Sequence, residues 1–194
     1  IAIFGVAVPA GVEAKTTTLT GNNGTWEVET NNNCVDIKFT PDDTKVKCSK
    51  IVFVQIVQEL VDGKPVTSYS ASSGFAFQND DMTSDGWVVD HIACEKDPYY
   101  NGNDKQDIGT QGKAGSTTSA TMNDCPTYPD GSFPAGGKNA TYKFETAAYC
   151  ADTDKFLGSI NWEFNRKKGD AGNGESKVTS TSVNETPSDN LKAA

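Results

Sequence analysis

A chain of 194 residues with a formal net charge of −9 is long enough to bury one sizeable core and too acidic for several classes of partner. Nucleic-acid binding needs clustered Lys and Arg for phosphate contacts, and adsorption on anionic membranes needs a basic surface, so neither is expected. Gly, Ser, Thr, Asn and Asp are abundant and Leu is scarce, a composition that disfavours helices and supplies many turns.

The N-terminal segment, residues 1–14, carries no charged side chain among its first 12 residues. It matches the end of a signal peptide, with an apolar stretch, a proline and small residues before a cleavage point. Gly5, Pro9 and Gly11 break it, and it is short for a membrane-spanning helix, so no membrane insertion is expected. In the alternative, residues 1–8 form a strand that docks on this domain or on a neighbouring copy.

Residues 50–60 form the longest apolar stretch outside the N-terminus, and we expect the fold to be organised around them. β-Branched Ile and Val dominate the stretch, which favours a strand. Val54 and Ile56 fall on one parity of that strand and Phe53 and Val57 on the other, so both faces carry apolar side chains. The pattern predicts a central strand covered on both faces; the alternative is a buried helix of about three turns.

Further short strands are predicted where apolar and polar residues alternate between turn signals. In chain order they span residues 26–30, 35–40, 44–47, 65–70, 87–93, 140–150, 155–166 and 176–183. Turns at Pro41, at Asp62-Gly63 and at residues 152–154 are expected to close three hairpins. Residues 97–137 show little periodicity and are expected to form long polar loops.

Many short strands at hairpin spacing, without alternating helices, predict an all-β fold. We expect an antiparallel β-sandwich, of jelly-roll or Greek-key type, with long polar loops. The single domain spans residues 15–187, after the N-terminal segment of residues 1–14. Residues 188–194 are expected to be a tail or the start of a helix that the sequence cuts short, because Ser188 is a good helix cap.

The five cysteines, at positions 34, 48, 94, 125 and 150, include no Cys-x-x-Cys pair, which argues against a zinc cluster. Cys34 and Cys48 flank the predicted hairpin at Pro41, so we expect a disulfide between them and leave the other pairings open. Disulfides persist in oxidising compartments, so an extracytoplasmic protein is predicted, secreted or periplasmic. The alternative is a cytoplasmic protein with five reduced, buried cysteines.

No motif marks a catalytic centre. His91 is the single histidine, and its strand neighbour Asp90 is expected on the opposite face, so no Ser–His–Asp arrangement is indicated. Residues 81–86 match half of a calcium loop, but Ile92 stands where that loop needs a bidentate glutamate. We therefore assign no catalytic residue, no metal ligand and no cofactor.

Aromatic side chains beside Asn and Asp are typical of sugar-binding sites and are enriched in protein interfaces. The alternative role for such residues is structural, with the tryptophan in the core and the tyrosines anchoring loops. Six residues in or beside the long polar region are predicted to bind a ligand: Trp87, Asp90, His91, Tyr99, Tyr100 and Tyr128.

The sequence therefore predicts an extracytoplasmic, non-enzymatic binding or structural surface module that contacts a glycan or a protein surface. One alternative is a secreted glycan-active hydrolase on a jelly-roll scaffold, because Glu145 and Glu163 lie on two strands expected to pair and such enzymes use paired carboxylates. A second alternative is a subunit of an extracellular assembly that self-associates by addition of its N-terminal strand.

Overall fold

The computed structural model describes residues 13–31, 34–67, 83–93, 111–116, 119–124, 139–166 and 174–193. Within these stretches the secondary structure is almost entirely β, as the composition predicts. In chain order the elements are β1 (Lys15–Thr20), β2 (Gly24–Thr30), β3 (Val35–Pro41), β4 (Ile51–Val61), β5 (Lys64–Pro65), β6 (Trp87–Ala93), β7 (Gln111–Ser116), β8 (Ser119–Asp124), β9 (Ala140–Cys150), β10 (Lys155–Arg166), β11 (Glu175–Val178) and α1 (Asp189–Ala193).

The strands form two antiparallel sheets that pack against each other. The first sheet has the order β1-β2-β3-β8-β7, and the second has the order β6-β4-β9-β10-β11, with β5 on the end of β4. β7 connects the two sheets, because it pairs with β8 and also meets β4 where Gly115 lies opposite Ile51. The predicted all-β antiparallel sandwich is confirmed.

Alternating residues of the strands fill the space between the sheets. Val35, Ile37 and Phe39 of β3 are buried, as their spacing predicts, and the polar residues between them are exposed or half-buried. The Trp26 ring lies 4.9 Å from the Phe39 ring of its own sheet and 5.9 Å from the Phe53 ring of the second sheet. Burial of such side chains is worth about 1.5–3 kcal/mol each, so these contacts hold the sheets together.

β4 lies inside the second sheet, with β9 on one edge and β6 on the other. Phe53 and Val57 are fully buried between the sheets, and Ile56 is fully buried on the opposite face, where it packs with Leu191. Val54 shares the face of Ile56 but is only half-buried. The stretch is therefore a central strand, and the cover of its outer face is complete at Ile56 and partial at Val54.

A chain of hydrogen bonds crosses the interior between the sheets. Trp162 Nε1 donates to Thr146 Oγ1 at 2.9 Å, and the Thr146 hydroxyl donates to Gln55 Oε1 at 2.5 Å. Gln55 Nε2 then donates to Asp124 Oδ2 at 2.5 Å, and Asp124 belongs to the first sheet. All four side chains are buried, so another register of the sheets would leave polar groups without partners.

Two of the three predicted hairpin turns are confirmed. Asp62 and Gly63 have φ angles of 48° and 78°, as the tight turn between β4 and β5 requires. The return strand β5 is shorter than the predicted residues 65–70, of which the last three lie outside the described residues. β9 and β10 have the predicted bounds, and the turn between them ends at Asp154, whose φ is 54°.

The hairpin predicted at Pro41 is wrong. Asp42 closes a turn instead: its carbonyl accepts the amides of Lys45 and Val46, and its carboxylate accepts the amide and the hydroxyl of Thr44. The edge of β3 that a return strand would need is occupied by β8. Residues 44–47 therefore form no strand.

The prediction of long loops over residues 97–137 is wrong in part, because this region contributes β7 and β8 to the first sheet. Small and polar residues obscured the alternation of β8, in which Ala120, Met122 and Asp124 are the buried positions. A buried aspartate breaks the apolar pattern that a core-facing strand is expected to show. The remainder of the region lies outside the described residues.

The predicted Cys34–Cys48 disulfide is wrong, because Cys48 is bonded to Cys150, with an S–S distance of 2.03 Å and a Cα–Cα distance of 5.7 Å. Cys34 is also disulfide-bonded. The error follows from the missing hairpin: the chain carries Cys48 to the start of β4, where Ile51 lies opposite Cys150. The buried disulfide fits a non-cytoplasmic, oxidising compartment.

Residues 179–193, which we call the C-terminal strap, follow β11 along the edge of β10. The Asn161 carbonyl accepts the amides of Thr179 and Ser180, and Ser159 and Asn184 exchange two backbone hydrogen bonds. The strand predicted over residues 176–183 is therefore replaced by the short β11 and this irregular segment. The strap then turns onto the outer face of the second sheet, the face directed away from the first sheet.

The predicted helix cap at the end of the strap is confirmed. The amide of Leu191 donates to Ser188 Oγ at 3.1 Å, which satisfies one free donor of the first turn of α1. Leu191 is buried against Ile56 and Ala147 of the outer face. At the other terminus, residues 1–12 lie outside the described residues, so the docking strand, the signal remnant and self-association through them stay predictions.

Candidate ligand-binding groove

A groove of about 470 Å³ lies on the outer face of the second sheet, between that sheet and the C-terminal strap. Its floor comes from β9 and β10, one wall is the strap, and Trp87 of β6 lies at its margin. The lining residues are Trp87, Lys143, Phe144, Asn161, Trp162, Glu163, Thr179, Ser180, Thr181, Ser182 and Asn184.

The strand register aligns one residue from each of five strands into a row across this face. Trp87 lies opposite Gln58, Gln58 opposite Lys143, Lys143 opposite Glu163, and Glu163 opposite Lys177. Directly opposite residues of antiparallel strands place their side chains on the same face of the sheet. The row therefore carries an indole, an amide, two ammonium groups and a carboxylate across the face on which the groove lies.

Glu163 is held in its charged form by its neighbours. The Lys177 ammonium lies 3.0 Å from Glu163 Oε1, and Asn165 Nδ2 donates to the same oxygen at 3.1 Å. Burial alone would raise the pKa of Glu163, but these two hydrogen bonds and the charges of Lys177 and Lys143 lower the pKa below its ordinary value. The carboxylate is thus already engaged by protein donors.

Lys143 has no such partner. Its side chain is exposed, and no carboxylate of the described residues lies within 4.0 Å of its ammonium. Glu163, directly across the strand pair, is bound instead by Lys177 from the other side. Lys143 therefore offers the groove a cation that is available to a ligand.

Four consecutive hydroxyl residues, Thr179, Ser180, Thr181 and Ser182, form the wall on the strap side. Ser180 fixes the wall to the floor, because its hydroxyl accepts the Asn161 amide at 2.7 Å. Asn184 also ties the strap down, since its Nδ2 donates to Asn161 Oδ1 at 2.8 Å. The outer hydroxyls of this wall, on Thr181 and Ser182, are exposed.

Trp87 stands across the floor from this wall. Part of its ring packs on the outer-face cluster that contains Ile56 and Leu191, and the side chain as a whole is half-buried. Its backbone amide donates to Thr83 Oγ1 at 3.1 Å, and Gly86, with a φ of 80°, completes the turn that leads into β6. An indole held in this way presents a firm, partly apolar surface to the groove.

The other predicted ligand-binding residues are not brought to the groove by any described contact. Asp90 and His91 lie on β6, where His91 pairs with Gln55 and Val89 with Ile56, so that Asp90 is the extra residue of a bulge. Their side chains lie outside the described residues, and so do Tyr99, Tyr100 and Tyr128 as a whole. Their roles in binding stay predictions.

The two carboxylates expected of a hydrolase are both occupied. Glu145 is 3% exposed and accepts the hydroxyls of Ser159 and Ser188 beneath the strap. Glu163 is bound by Lys177, with a lowered pKa, whereas a general acid for glycoside hydrolysis needs a raised one. Glu163 is therefore not suited to be the general acid of such a pair, and the hydrolase alternative stays a prediction.

Metal ligation finds little support in the part of the chain that the structure describes. The single group of three close potential ligands there is Cys48, Cys150 and Asp152, but the two sulfur atoms are joined in the disulfide. Of the half-matching calcium loop, residues 83–86 form a turn in which the Gly86 amide donates to the Thr83 carbonyl. Residues 81 and 82 lie outside the described residues.

Sequence reasoning singled out Trp87 but missed Lys143, Asn161 and the hydroxyl wall. The signal for Lys143 was present, because the predicted hairpin of β9 and β10 around residues 152–154 implies that Lys143 and Glu163 lie opposite each other. The strap carried no comparable signal, since its position depends on contacts with β9 and β10 that no local pattern encodes.

Comparison with known proteins finds no matching family model, no similar curated protein and no similar solved structure. Among the described residues, no helix is long and apolar enough to cross a membrane. The chemistry of the groove is therefore the basis on which a function is inferred.

Proposed function

We propose that this chain is an extracytoplasmic, non-enzymatic binding module, secreted or periplasmic, that holds a glycan in the outer-face groove. The observation that carries the proposal is the pairing of the half-buried Trp87 ring with the exposed hydroxyls of Thr181 and Ser182 across one groove. Sugars present apolar C–H faces that pack on aromatic rings and hydroxyl groups that exchange hydrogen bonds. The groove supplies both kinds of partner.

The rigid floor and wall of the groove and its engaged carboxylate support a binding role without catalysis. Its floor is the inner part of a sheet, and Ser180 and Asn184 bond its wall to Asn161, so the partners are held in place before a ligand arrives. Among the described residues, the carboxylate that lines the groove is Glu163, and it is engaged by Lys177. A rigid site with an occupied carboxylate suits recognition better than proton transfer.

Intrinsic fluorescence offers a test at the site itself. The chain has three tryptophans, and Trp26 and Trp162 are at most 1% exposed, so acrylamide is expected to quench Trp87 selectively. A panel of neutral and acidic oligosaccharides is titrated, and protection from quenching is measured. We expect at least one saccharide to protect Trp87, and Trp87→Phe to abolish the signal while the fold is kept.

A matched pair of variants separates recognition from stability. Thr181→Val removes an exposed wall hydroxyl, and Thr121→Val removes an exposed hydroxyl of β8 in the other sheet. The first is expected to weaken saccharide binding by several-fold, about 1 kcal/mol for one hydrogen bond, and the second to leave it unchanged. Failure of every saccharide to protect Trp87 overturns the proposal.

A further inference from the structure

The row of residues across the outer face contains more cations than carboxylates. The row across the sheet contains Lys143 and Lys177 but only one carboxylate, that of Glu163, which Lys177 binds at 3.0 Å. The other carboxylate on the face of β9 that bears Lys143, Glu145, is buried under the strap and hydrogen-bonded to Ser188. Among the described residues, the Lys143 ammonium is therefore the exposed cation of the groove that has no carboxylate within 4.0 Å.

This cation stands out against the rest of the chain, whose net charge is −9. An acidic surface repels anions in general, so a ligand with a negative group gains from the groove position at which the Lys143 ammonium lies. A hydrogen bond from an ammonium to a carboxylate is also stronger than a neutral one. The groove is thus suited to discriminate an anionic ligand from its neutral counterpart.

The spacing of the row suits a sugar that carries its charge on the ring. Trp87 and Lys143 are separated by one strand, β4, which places their backbones about 10 Å apart. A sugar ring packed on the indole leaves its substituents within reach of the long Lys143 side chain on one side. On the strap side, Thr181 and Ser182 offer hydroxyls to the remaining sugar hydroxyls.

We infer that the ligand is an acidic saccharide, one that contains uronic or sialic acid residues, and that Lys143 binds its carboxylate. The inference rests on the proposed glycan-binding function and narrows it to one class of ligand. In this arrangement Trp87 packs against the sugar ring, the hydroxyl wall hydrogen-bonds to the sugar hydroxyl groups, and Lys143 binds the carboxylate.

The test compares acidic saccharides with neutral partners of the same skeleton. Oligogalacturonate, oligomannuronate and 3′-sialyllactose are each titrated beside their own methyl ester, with protection of Trp87 and calorimetry as readouts. We expect at least one acidic saccharide to bind about tenfold more tightly than its neutral partner, the gain of one charge-assisted hydrogen bond. Added salt is expected to reduce the difference.

Two variants assign the preference to one side chain. Lys143→Gln is expected to remove the preference for the acidic member of each pair. The matched control is Lys155→Gln, which removes an exposed lysine at the start of β10, away from the groove lining. Lys155→Gln is expected to keep the preference of the wild-type protein.

The results of these titrations distinguish failure of the acidic-ligand inference from failure of the glycan-binding function. Equal binding of acidic and neutral members overturns the inference of an acidic ligand and leaves glycan binding standing. If Lys143→Gln keeps the preference for the acidic saccharide, the inference is also overturned, because a group other than Lys143 then binds the carboxylate. Absence of binding by every saccharide in the panel overturns the glycan-binding function together with this inference.

Discussion

Ser188 donates its hydroxyl to the buried carboxylate of Glu145 and thereby fastens the C-terminal strap to β9. Ser188 Oγ also accepts a hydrogen bond from the Leu191 amide, so the Ser188 side chain both caps α1 and anchors the strap. Ser159 donates a second hydroxyl to Glu145 from β10. The wall of the groove is therefore held at its far end by hydrogen bonds to a carboxylate that is 3% exposed.

Ser188→Ala is expected to lower the free energy of unfolding by about 1–3 kcal/mol. The substitution removes a helix cap and leaves a buried carboxylate oxygen with one donor fewer. Urea denaturation measures the loss, and hydrogen exchange is expected to show faster exchange across residues 179–193.

The matched control for this variant is Thr186→Ala, which removes an exposed hydroxyl of the same strap. It is expected to change the free energy of unfolding by less than about 0.5 kcal/mol. If Ser188→Ala and Thr186→Ala prove equally mild, Ser188 does not anchor the strap.

The two faces of β4 are buried to different extents, so a charged substitution is expected to destabilise the protein more on one face than on the other. Val57→Asp places a carboxylate in the fully buried layer between the sheets, and a loss of more than about 4 kcal/mol is expected. Val54→Asp places the same group on the half-buried outer face, where water reaches it, and a clearly smaller loss is expected. Thermal melts of the two variants compare them directly, and equal losses would contradict the assignment of faces.

The sequence predicted those strands whose pattern lies within one continuous stretch of residues, and it missed a strand whose burial depends on distant partners. β9 and β10 were predicted with their bounds because alternation and an acidic turn lie within one continuous stretch. β8 was missed because its inward positions include Asp124, which is buried only because Gln55 of the other sheet donates to it. A residue whose burial depends on a distant partner leaves no apolar period to detect.

In the groove, too, some features follow from nearby residues and others depend on long-range contacts. Trp87 is recognisable as an aromatic residue beside a polar turn, and the register of one hairpin relates Lys143 to Glu163. The order β6-β4-β9 that aligns Trp87 with Lys143 joins strands far apart in the chain, so no local pattern encodes it. The position of the strap likewise depends on the long-range contact between Ser188 and Glu145.

The Cys48–Cys150 disulfide closes a long loop, with a sequence separation of 102. In the chain-entropy model a loop of about 100 residues is worth about 4.7 kcal/mol, so the double variant Cys48→Ala/Cys150→Ala is expected to lose roughly that stability. Non-reducing peptide mapping is expected to find the Cys48–Cys150 linkage and to find Cys34 in a second one. Free thiols at Cys48 and Cys150 in protein from its native compartment would contradict both the pairing and the oxidising compartment.

The ion pair of Glu163 with Lys177 predicts a specific dependence of stability on pH. Burial disfavours the charged Glu163 carboxylate, but hydrogen bonds from Asn165 and Lys177 and the charges of Lys177 and Lys143 more than offset it, so the pKa lies below its ordinary value in the folded state. A pKa lowered by folding stabilises the protein fully above the unfolded value. This contribution is lost as the pH falls through the lower folded value.

Glu163→Gln removes this contribution and keeps an oxygen that still accepts from Asn165. Since the carboxylate is partly exposed, solvent screening limits the expected loss at about pH 7 to no more than about 1 kcal/mol. As the pH falls through the lowered pKa of Glu163, the wild-type carboxylate becomes protonated, and the curves of unfolding free energy against pH are expected to converge. Parallel curves for the wild-type protein and Glu163→Gln would show that Lys177 does not hold this carboxylate, and the free cation of the groove would then have to be reassigned.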